Sequence, residues 1–66
     1  MENTFERGQI VTAKAYGGEV IKRRVVTDNG RTVVICTEAE YQAAMREKRE
    51  PEGVGFPRKD VVLADG

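Results

Sequence analysis

At 66 residues the chain has room for one compact domain with a single core, because surface grows relative to volume as chains shorten. Eleven lysines and arginines balance eleven aspartates and glutamates, so the long-range positive field that gathers phosphate backbones is missing, while a local basic patch remains open to the chain. With no histidine, no serine and one cysteine, Cys36, the chain offers no Ser-His or Cys-His nucleophile, no zinc ligand set and no internal disulfide. The expectation is a non-enzyme without cofactor or metal, in a reducing cytoplasm. The polar opening, residues 1–8, lacks the apolar stretch of a secretion signal, and nowhere do about 18 apolar residues follow one another as a membrane-spanning helix requires.

Residues 9–15 alternate, with Val11, Ala13 and Ala15 on one side and Thr12 and Lys14 on the other, which predicts a half-buried first strand. Tyr16, Gly17 and Gly18 then break the pattern as a loop. Residues 19–27 are rich in β-branched side chains, yet neither face is cleanly apolar: Val20 and Val26 fall with Lys22 and Arg24, Ile21 and Val25 with Arg23. A bulge or sharp bend at residues 22–24 would restore the phase.

Asp28, Asn29 and Gly30 predict a tight hairpin in which Asn-Gly takes left-handed conformations. The third strand, residues 31–37, sets Val33 and Ile35 on one face and Val34 and Cys36 on the other, so something must cover its second side. Thr37 before Glu38, Ala39 and Glu40 reads as an N-cap with a capping box. The helix it starts should run over residues 38–49, put Tyr41, Ala44 and Met45 on a buried stripe, and stop before Pro51. Val54 and Phe56, then Val61 and Leu63, predict two short strands around a tight turn at residues 57–60. Residues 1–7 and 64–66 are expected to fray around an ordered core of about 8–64.

Gly55, Phe56 and Pro57 followed by Val61 and Leu63 resemble the end of SH3 domains, where a glycine, an apolar residue and a proline lead through a 3₁₀ turn into the last strand. Residues 8–26 are similar, more loosely, to the opening strands of Tudor and KOW-type barrels. The resemblance implies a mainly β, five-stranded SH3-like barrel, here with one short helix inserted between strands three and four. It carries over Pro57 and, as an aromatic in the first long loop, Tyr16. Asp60 stands where the family usually has a groove tyrosine, and there is no tryptophan, so recognition of proline-rich peptides is not implied.

The candidate contact residues are Tyr16, Lys22, Arg23, Arg24, Arg31 and Pro57, with Lys14 able to join the cations across the sheet. Three successive cations on a strand also serve as a solvated edge that discourages aggregation, and Tyr16 is equally suited to folding back over the barrel mouth. The leading expectation is a protein-binding or accessory module. The alternatives are a Tudor- or KOW-like nucleic-acid contact driven by Lys14, Lys22, Arg23, Arg24 and Arg31, and a small subunit of a larger assembly.

Overall fold

The computed structural model describes residues 4–64. In chain order they form β1 (Ile10–Lys14), a 3₁₀ turn (Tyr16–Gly18), β2 (Val20–Asp28), β3 (Thr32–Cys36), α1 (Glu38–Glu47), β4 (Val54–Pro57), a second 3₁₀ turn (Arg58–Asp60) and β5 (Val61–Leu63). The strands make one antiparallel sheet in the order β4-β3-β2-β1-β5. β4 and β5 are its two edges and do not pair with each other, so the sheet is not closed. The described residues are therefore mainly β, with one α-helix among them between the third and fourth strands, as the sequence predicts.

One face of the sheet carries the core, because alternate residues on each strand project the same way. Val11, Ala13, Val25, Val33, Ile35 and Val61 form a buried cluster, with Phe5, Ile21 and Phe56 packed against it. Val26, Cys36 and Ala44 are also buried but lie outside that cluster. They lie on the other side of the sheet, where α1 packs on β2. Cys36 itself is buried.

The break in β2 falls later than expected. Pairing with β1 runs in unbroken register from Val20 to Arg24, and the shift in β2–β3 pairing comes between Val25 and Thr27. A bulge there lets the successive residues Val25 and Val26 both be buried, one on each side. With no shift at residues 22–24, Arg23 stays opposite Val11, on the core face.

The β2–β3 hairpin departs from the two-residue turn as well. Gly30 has φ 95°, but Asn29 does not enter the left-handed region, which Lys48 alone occupies among the described non-glycine residues. Asn29 N–H donates to the Thr32 carbonyl at 2.8 Å, and Asp28 Oδ1 accepts from Gly30 N–H at 2.8 Å, so the aspartate side chain organises a longer connection.

Thr37 caps α1 by accepting from Glu40 N–H at 3.1 Å. The reciprocal half of the capping box gives way to a longer-range arrangement: Glu40 accepts from Arg49 at 2.5 Å and from Glu52 N–H at 3.0 Å. The helix ends at Glu47, short of Arg49, because Lys48 turns left-handed (φ 57°) while its N–H still reaches the Ala44 and Met45 carbonyls. Ala44 is fully buried, whereas Met45 is exposed, contrary to its expected place in the packed stripe.

The segment before residue 8 does not fray in its described part. Phe5 packs on the core, its N–H donates to Asp28 Oδ2 at 2.9 Å, and Arg7 donates to the Val26 carbonyl and pairs with Glu50. The expected fraying of residues 1–3 and 65–66 lies outside the described residues.

Candidate functional site

The open side of the sheet holds a groove. Lys14, Ala15 and Tyr16 form one wall, Val54, Gly55, Phe56 and Pro57 the other, and Asp60 completes it, around a volume of about 680 Å³. The first wall is the end of β1 running into its loop, where Gly17 and Gly18 both take positive φ, 84° and 83°, with open space around them. That backbone is natural to glycine and turns the chain sharply enough to leave Tyr16 projecting. Tyr16 is 104% exposed, which rules out the folded-back lid and leaves an aromatic side chain with no packing partner. The second wall is the edge strand β4, held by β3 through pairing of Val33 with Phe56 and Ile35 with Val54. Phe56 is half-buried against the core and Val54 largely exposed. The structure thus brings Tyr16 and Pro57, far apart in sequence, to one site.

Arg31 sits near the Pro57 end of β4, its carbonyl accepting from Arg58 N–H at 3.0 Å. It is exposed and is not among the residues that line the groove.

The three successive cations are divided. Lys22 pairs with Thr12 and projects to the side away from the core, exposed, where its charge adds to the field that lowers the Glu38 pKa. Arg23 is on the core face, where its guanidinium donates to the Lys22 carbonyl at 2.8 Å. Arg24 is structural: Nε donates to Glu38 at 2.6 Å, NH1 donates to the Gly8 carbonyl at 2.6 Å, and the guanidinium lies 5.1 Å from the Tyr41 ring centroid. The Arg24 hydrogen bond, with a further one from Gln42, holds the Glu38 carboxyl below its usual range. Lys22, Arg23 and Arg24 line, with Ile10 and Glu38, a separate hollow of about 540 Å³.

Val54, Ala15 and Asp60 are site residues that the sequence reasoning missed. The alternation of Val54 and Phe56 was a signal for Val54, since an edge strand offers less cover than its apolar pattern asks for. Among the described residues no cluster of three or more histidine, cysteine or carboxylate side chains is placed to hold a metal ion, and no helix is long and apolar enough to cross a membrane. Cys36 is buried, and burial pushes its thiol pKa up. Comparison with protein-family models, with curated proteins and with solved structures finds no match.

Proposed function

We propose that this chain is a non-catalytic module, an open SH3-like barrel, that binds another protein in the groove between the Tyr16 loop and β4. The observation that carries the reading is Tyr16, fully exposed beside a groove that also holds Val54, Phe56 and Pro57. An aromatic side chain that contributes nothing to the core, set beside half-covered apolar groups, is the composition of a binding hot spot. The 3₁₀ turn at Arg58–Asp60, between Pro57 and β5, supports the SH3-like part of the reading.

The test is affinity capture from host lysate with the wild-type domain and with Tyr16→Ala, each with and without nuclease. Since Tyr16 is outside the core, its truncation should change stability by less than about 0.5 kcal/mol. A retained protein that survives nuclease and loses about tenfold or more in affinity with Tyr16→Ala supports the groove. A captured protein indifferent to Tyr16 removes it as the site. Material that vanishes with nuclease and modest salt would transfer the function to a nucleic-acid contact through Lys14, Lys22 and Arg31.

A further inference from the structure

One wall of the groove is β4, an edge of the sheet, and an edge strand presents unpaired backbone. In an antiparallel pair, residues directly opposite one another alternate between exchanging hydrogen bonds and turning their main-chain groups outward. Arg58 N–H donates to the Arg31 carbonyl at 3.0 Å, and the same register pairs Thr32 with Pro57, Val33 with Phe56, Val34 with Gly55 and Ile35 with Val54. Phe56 and Val54 therefore turn their amides and carbonyls to β3. The Gly55 N–H and C=O and the Pro57 C=O face away from it, along the groove. Pro57, which has no N–H, occupies a position where none is needed for the β3 pairing.

We propose that the groove takes an extended segment of the partner protein as an added strand on β4, hydrogen-bonded to the Gly55 N–H and C=O. The proposal rests on the groove being the binding site and goes further by naming the form of what binds. Side chains of the guest that share the core face extend the row of Val54 and Phe56, both incompletely covered, so alternate guest residues are apolar. Lys14 and Asp60 on the facing wall form no ion pair with each other or with any other described residue, although Ala13 and Val61, next to them, are paired in β1–β5. They select a segment with a carboxylate and a cation among its remaining positions. A proline-rich helix is disfavoured by the same geometry, since it has few N–H groups to offer the Gly55 carbonyl.

The experiment uses the 66-residue chain made by chemical synthesis and a displayed library of random twelve-residue peptides. Enriched peptides are expected to alternate apolar and polar residues and to carry both charges. N-methylglycine in place of Gly55 removes the outward N–H without adding a Cβ, so melting and circular dichroism stay as in the parent while affinity for those peptides falls about tenfold or more. Val54→Lys, at a largely exposed position, should weaken them likewise. Peptides that lose affinity with Tyr16→Ala but are indifferent to N-methylglycine at 55 would overturn strand addition and keep the groove. Indifference to both changes, or no enrichment at all, would remove the proposal and the groove together.

Discussion

The Asp28 carboxylate accepts from the Arg58 guanidinium at 2.5 Å, joining the end of β2 to a 3₁₀ turn thirty residues later in the chain. The same carboxylate accepts from Phe5 N–H at 2.9 Å and Gly30 N–H at 2.8 Å, and Arg58 lies 5.3 Å from the centroid of the Phe5 ring. One nearly buried acid thereby ties the N-terminal segment, the hairpin and the turn before β5.

Those bonds, from Phe5 first, then Arg58 and Gly30, lower the Asp28 pKa from 3.8 to about 2. A carboxyl whose pKa is depressed on folding adds stability that is fully present above its unfolded value and is lost as pH falls through its folded one. The Asp28 contribution should be complete above roughly pH 5 and disappear between about pH 4 and pH 2. Urea midpoints across that range should show an acid limb that is reduced in Asp28→Asn, and Asp28→Ala should melt lower than either at neutral pH. An unchanged acid limb in Asp28→Asn would show that other carboxylates govern acid unfolding.

Arg24 and Lys22 look alike in sequence and differ in structure. Arg24 bridges β2 to Glu38 of α1, to the Gly8 carbonyl and to the Tyr41 ring, while the Lys22 ammonium acts on Glu38 through its charge without a hydrogen bond to any described residue. Arg24→Ala should lower Tm measurably and Lys22→Ala should leave it alone. Because a guanidinium can bridge a carboxylate and a carbonyl where an ammonium is a point charge, Arg24→Lys should recover only part of the loss. Thermal melts of the three variants check this, and equal effects at the two positions would contradict the division of roles.

Gly8 holds φ +92°, and a Cβ added there would come within 2.7 Å of Tyr41 Oη. Gly17 holds φ +84° with nothing within 4 Å. Gly8→Ala should cost about 1–3 kcal/mol, and Gly17→Ala about 1 kcal/mol, from backbone strain alone. Combining Gly8→Ala with Tyr41→Phe, which removes the crowding hydroxyl, should return the steric share of the loss. Equilibrium denaturation in urea of the single and double variants gives the comparison.

Local signals carried far in this chain. The alternation of Val11 and Ala13, the apolar pairs on both faces of β3, the Thr37 cap and the proline before a 3₁₀ turn each depend on residues within a few positions, and each appears where the sequence puts it. The helix between β3 and β4 was legible too, from its N-cap and the proline beyond its end.

What escaped the sequence depends on partners distant along the chain. The bulge moved to Val26 because burial on two sides of β2, and not the local phase at residues 22–24, determines where pairing shifts. Arg24 is tied to Glu38, Gly8 and Tyr41, none of them its sequence neighbours, and Phe5 joined the core through an aspartate 23 residues away. Tyr16 and Pro57 could be named singly from composition, but their shared groove exists only where the fold brings the end of β1 near the edge strand β4. The amino-acid sequence determined which segments are strands, helix and turns, since propensity, periodicity and capping are short-range. Register, ion-pair choice and the shared groove were decided by the tertiary structure, because they follow from competition among contacts that only the folded chain brings together.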